Sequence, residues 1–158
     1  MTARSAEPEP KQHPRFNHVA MTVPADLLDE AGRTAILDFY GEVFGWQELP
    51  TETIDRQRLV MMAYEFGQFV FIEADDNPMT TNTIDHFGMS VSTQAELEEF
   101  YDRAKAFSER DERTILEPKM LDEFGDVLEL HAFYVRHILP LKVEVQYFNW
   151  KQATANAG

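Results

Sequence analysis

Cysteine is absent from all 158 residues, which excludes disulfides, thiolate metal sites and a cysteine nucleophile. Cations are scarce. Lys and Arg number 14 against 28 Asp and Glu, and a formal charge of −14 repels phosphate backbones and anionic lipid heads. Neither nucleic acid nor a membrane is therefore an expected partner. No stretch approaches the roughly 18 consecutive apolar residues of a spanning helix, and the N-terminal Glu7-Pro8-Glu9-Pro10 run has no apolar core of an export signal. A cytoplasmic protein is the expectation. There is no glycine-rich phosphate loop and no Gly-x-Ser-x-Gly elbow, so nucleotide hydrolysis and serine-hydrolase chemistry have no support.

What is present is a repeat. His18-Val19-Ala20-Met21-Thr22-Val23 returns 68 residues later as His86-Phe87-Gly88-Met89-Ser90-Val91, each copy reading His, apolar, small, Met, hydroxyl, Val. On a strand, Val19, Met21 and Val23 share one face, as do Phe87, Met89 and Val91. Each His then shares the opposite face with small or hydroxylated residues. Two similar modules follow from the repeat.

Along the chain, Phe16 to Val23 reads as a strand, and a loop follows Pro24. A helix is expected from about Glu30 to Phe44, where Ile36, Phe39, Tyr40, Val43 and Phe44 keep a helical period and Gly45 ends it. Strands are expected at Trp46–Leu49, Arg58–Tyr64 and Gln68–Ala74, with a turn at Glu65-Phe66-Gly67. After a polar linker the second copy precedes a capping box, Thr93 with Glu96, and a helix carrying Leu97, Phe100, Tyr101 and Ala104. Strands at Thr114–Leu116, Val127–Arg136 and Leu141–Phe148 complete a second βαβββ unit. The expected organisation is an α+β domain over 15–150, with modules at about 15–78 and 83–150 and tails at 1–14 and 151–158. His13 lies in the first tail and is expected to be idle.

In each module the last strand holds a carboxylate in an apolar setting, Glu73 lying 55 residues after His18 and Glu144 lying 58 after His86. A pseudo-twofold arrangement would bring two imidazoles and two carboxylates together, a donor set for one divalent Zn, Ni, Co, Mn or Fe(II) ion per chain. His131 and His137 are left over and are expected at strand ends in contact with water.

The residues Asn17-His18-Val19, Phe39-Tyr40 through Phe44-Gly45, Ile72-Glu73, Asp85-His86-Phe87 and Val143-Glu144-Val145 resemble the vicinal oxygen chelate superfamily. That superfamily includes glyoxalase I, methylmalonyl-CoA epimerase, extradiol dioxygenases, fosfomycin-modifying enzymes and bleomycin-binding proteins. The resemblance implies paired modules whose sheets curl round a metal-centred cleft, a small substrate chelated through two oxygens, and a homodimer. It implies His18, His86 and Glu144 as ligands and Glu73 as the additional carboxylate of glyoxalase-like members. Tyr134, ten residues before Glu144, resembles the dioxygenase pattern. Two departures stand against that pattern: His137-Ile138-Leu139-Pro140 replaces the Pro-x-Gly hairpin, and Phe71 stands near the position of an outer histidine base. Proton-transfer chemistry by Glu144 or Glu73, of the glyoxalase or epimerase kind, is the favoured expectation. An Fe(II) dioxygenase using Tyr134 is one alternative, and a drug-sequestering protein without chemistry is another.

Overall fold

The computed structural model describes residues 14–65 and 67–151. The expectations for tail residues 1–13 with His13, for the turn residue Phe66 and for 152–158 fall outside that range.

Module one runs β1 (His18–Val23), a 3-10 turn (Ala25–Leu28), α1 (Glu30–Phe44), β2 (Gln47–Glu48), β3 (Arg58–Met62) and β4 (Phe69–Ala74). Its sheet has the order β1-β4-β3-β2, with β1 parallel to β4 and the other pairs antiparallel. Module two runs β5 (His86–Val91), α2 (Gln94–Ser108), β6 (Thr114–Leu116), β7 (Met120–Phe124), β8 (Leu128–His137) and β9 (Lys142–Trp150). Its order is β5-β9-β8-β6, again with a parallel first pair. The two histidine strands, β1 and β5, therefore occupy corresponding free edges.

Local chemistry sets the helix limits. The Asp29 side chain accepts the Gly32 N–H at 2.9 Å to cap α1, and Gly45 closes it in the left-handed region at φ 74°. The Thr93–Glu96 capping box starts α2 in both directions. The buried faces of α1 and α2 share a single apolar core with the inner faces of both sheets. Phe39 joins the modules, its ring meeting Phe107 edge-on at 5.0 Å and stacking on His137 at 4.6 Å.

Two expectations are corrected here. Module two has an additional strand, β7, which pairs with β8 beyond β6. The Glu117 N–H still donates to the Tyr134 carbonyl, but Pro118 has no N–H to give, so the ladder breaks and resumes at Met120 opposite Ala132. His137 is not in contact with water: it is 0% exposed, wedged under the helices with Nδ1 2.9 Å from Thr114 Oγ1. His131 is half-buried within β8 rather than at its end, paired across the ladder with Tyr147.

Candidate metal centre

The outward face of the module-two sheet carries the densest chemistry. Strand alternation puts His86, Gly88 and Ser90 of β5 on this face, beside Lys142, Glu144 and Gln146 of β9. Tyr134 on β8 stands directly opposite Glu144, so the ten-residue spacing is the span of an antiparallel hairpin. Its hydroxyl donates to Glu144 Oε1 at 2.7 Å. Burial, followed by the hydrogen bond and charge of Glu144, pushes the Tyr134 hydroxyl up to about 12, so it keeps its proton at neutral pH. Glu144 is only 6% exposed, and its other oxygen, Oε2, lies 3.2 Å from His86 Nε2.

That contact is chemically demanding. His86 Nδ1 is 2.6 Å from the Ile84 carbonyl oxygen, which can only accept, so Nδ1 carries a proton. In the neutral ring Nε2 then presents a lone pair to the lone pairs of Oε2. Two acceptors facing each other call for a cation between them, either a proton or a metal ion. A separation of 3.2 Å accommodates either: it lies at the long end of N–H···O hydrogen bonds, and donors bonded to one ion at 2.0–2.1 Å at tetrahedral or octahedral angles stand roughly 2.8–3.4 Å apart. Gly88 adds no side chain beside this pair, and a Cβ there would make ordinary contact at 3.7 Å from Glu144 Oε2 and 3.6 Å from Gln146 Oε1.

His18 occupies the corresponding place in module one. Its Nδ1 lies 2.8 Å from Asn17 Oδ1, which leaves Nε2 as the free donor atom, and its ring stacks on Phe69 at 5.3 Å with Phe71 edge-on at 6.0 Å. The ladders put Glu73 in a different row. Ala20 pairs with Phe71 as Gly88 pairs with Glu144, and Thr22 pairs with Glu73 as Ser90 pairs with Gln146. The counterpart of Glu144 is thus Phe71, and Glu73 lies two residues, roughly 6.6 Å, further along the strand. Glu73 is exposed, on the same face as His18, and among the described residues it joins no ion pair.

Of the four residues expected at the metal, the fold brings His86 and Glu144 together and sets His18 and Glu73 on the other sheet. Among the described residues no three His, Asp or Glu side chains gather into a metal-holding group. Sequence reasoning passed over Gly88, Gln146 and the Nδ1 acceptors Asn17 and Ile84. Gly88, as the small residue of the repeat, and Asn17, beside His18, left a readable trace.

These two sheets and their strand orders are those of a glyoxalase-like fold. No protein-family model and no curated protein matches the chain. Solved structures do match. Over 87% of this chain and 96% of its own, lactoylglutathione lyase from Agrobacterium tumefaciens aligns at 19% identity with a TM-score of 0.59. The fosfomycin resistance protein FosX from Listeria monocytogenes aligns at 16% identity over 86% of this chain and 94% of its own, TM-score 0.57. A glyoxalase/bleomycin resistance protein/dioxygenase from Alicyclobacillus acidocaldarius aligns at 16% identity, 87% and 95% coverage, and a TM-score of 0.59. A variant of the Listeria protein was solved with Mn(II) and 1S,2S-dihydroxypropylphosphonic acid. Identities this low establish the fold and leave the activity to be argued from the site. Among the described residues no helix is long and apolar enough to cross a membrane.

Proposed function

We propose that this chain is a divalent-metal-dependent enzyme acting on a small molecule that chelates through two neighbouring oxygens. The observation that carries the reading is the 3.2 Å approach of His86 Nε2 to Glu144 Oε2, with His86 Nδ1 and Glu144 Oε1 already committed to Ile84 and Tyr134. His18 completes a two-histidine, one-carboxylate set, contributed by a second copy of the chain. Supporting this, β1 and β5 both end their sheets and carry their histidines on the open faces, so laying β1 of one copy along β5 of another joins the half-sites. The exposed side chains of Phe16 and Ile84 beside those edges are apolar enough to be covered in such a homodimer.

A divalent ion held there supplies Lewis acidity toward the substrate oxygens. Tyr134 keeps Glu144 oriented by donating to Oε1, and the Asn17 and Ile84 acceptors hold the two imidazoles with Nε2 forward. Glu73, a free carboxylate one row beyond Phe71, takes a proton from the carbon beside the chelated oxygens and returns it, which gives isomerase, lyase or epimerase chemistry. A second reading, Fe(II)-dependent dioxygenation of a catechol, is favoured by one specific contact, the Tyr134 hydroxyl on Glu144.

Metal analysis of protein purified without chelators, followed by loading of the apo-protein with Ni(II) or with anaerobic Fe(II), separates these readings. Deuterium exchange into a hemithioacetal or acyl-CoA substrate that needs Glu73 supports proton transfer. Oxygen uptake with catechols that survives Glu73→Gln and is lost in Tyr134→Phe supports the dioxygenase. Tight binding of an aromatic cation by protein that takes up no metal refutes both and identifies a sequestering protein.

A further inference from the structure

The row beyond Glu144 contains an amide that no part of this reading uses. Gln146 is half-buried on the open face of β9, and its side chain makes no hydrogen bond among the described residues. An amide so placed has both a donor and an acceptor to offer a molecule that replaces water beside it. Where it points is defined by Gly88. The position of a Cβ on Gly88 is 3.6 Å from Gln146 Oε1 and 3.7 Å from Glu144 Oε2, so both atoms border the same space over Gly88. The carboxylate Oε2 faces His86 on one side and the space over Gly88 on the other. A molecule bound beside Glu144 must therefore lie against Gln146.

The geometry points to Gln146 as the residue that orients and selects the bound molecule, by hydrogen bonding a neutral hydroxyl or carbonyl next to its two chelating oxygens. This rests on the metal reading given above. The neighbourhood argues against an anionic flank. The row of Gln146 contains Ser90 and Ala132, and the corresponding row of module one contains Thr22, Glu73 and Arg58. Arg58 is engaged by Glu52, its Nε donating to that carbonyl at 2.7 Å, and Lys142 Nζ is tied to Glu117 Oε1 at 2.8 Å. In module two this row brings no charge of its own to a phosphonate such as the one bound in the Listeria structure, so the group selected there is a neutral hydroxyl or carbonyl.

The test uses the full chain loaded with Co(II), whose absorption reports inner-sphere binding, and three oxygen chelators: catechol, pyrogallol with one more adjacent hydroxyl, and phosphonoformate. Wild-type protein should bind pyrogallol about 5–10-fold more tightly than catechol, the worth of one net hydrogen bond, and phosphonoformate no better than catechol. Gln146→Met, close in volume but without the amide, should abolish the pyrogallol preference while Co(II) affinity stays within about twofold. Gln146→Glu, which still accepts from a hydroxyl, should keep the preference. Gly88→Leu should exclude all three probes, whereas Gly88→Ala, whose methyl only touches its neighbours, should not. A tenfold loss of Co(II) affinity in Gln146→Met would make Gln146 a ligand and overturn the proposal. An unchanged pyrogallol preference in that variant overturns it as well. Failure of the wild-type protein to bind Co(II) at all removes the metal reading, and this inference with it.

Discussion

If His18 of one copy completes the site of another, two inactive variants should repair each other. His18→Ala and His86→Ala each remove one ligand from every site, so each protein alone should hold almost no metal at micromolar concentration. In a mixed dimer one site has the intact His18 of the His86→Ala chain and the intact His86 and Glu144 of the His18→Ala chain. The other site lacks both histidines. Random reassortment of equal amounts makes about half of the dimers mixed, each with one good site of two, so recovery should approach about a quarter of wild-type occupancy. Both substituted residues are exposed on open faces and contribute little packing, so folding should not confound the result. The assay is bound Mn(II) or Co(II) per chain after mild denaturation and renaturation of the mixture. The double variant, exchanged into wild-type protein, should halve the original sites rather than dilute them unchanged. A mixture holding no more metal than its parents refutes the shared site, because a cleft closed within each chain always lacks one ligand.

The remaining expectations are simpler. Glu144→Ala should abolish metal uptake measured by elemental analysis, while His131→Ala, on the far face of β8, should leave it unchanged. Burial holds the His137 imidazole below its ordinary value despite the nearby Asp111 carboxylate. Its contribution to stability is therefore complete above the unfolded value of about 6.5 and is lost as pH falls toward the lowered folded value. Urea midpoints at pH 7.5 and 5.5 should differ accordingly, and His137→Phe should flatten the difference; a midpoint that rises on acidification contradicts the assignment. Thr93→Ala removes the α2 cap on an exposed surface and should cost about 1 kcal/mol, read as a fall of about 2–4 °C in Tm by calorimetry.

The repeat was legible because it records a face. Alternation over six residues told which side of β1 and β5 is open, and the ladders agree. Helix limits were legible because Gly45 and the Thr93–Glu96 box are local devices. Register was not. Counting from the histidines matched Glu73 with Glu144, but the segment from β1 to β4 is shorter than that from β5 to β9, and only hydrogen-bonded pairing shows that Phe71 takes that place. His137 was misread for a related reason: a strand end usually meets water, but here it runs beneath two helices from different parts of the chain. β7 left no trace because all five of its residues are exposed, so burial imposes no alternation on it. The 3.2 Å contact at the candidate centre depends on three strands at once and lies beyond any one-dimensional pattern.

Pro118 does more than divide a strand. Because β6 and β7 meet the same neighbour on either side of the break, β7 and the turn at Gly125 have a ladder of their own on β8, with Met120 and Phe124 on the face that bears Tyr134 and Glu144. The row of Tyr134 and Glu144 sits among buried neighbours, whereas every residue of β7 is exposed. Dense packing and open surface thus fall to different stretches of one sheet, the carboxylate lying in the first and the two apolar side chains of β7 in the second.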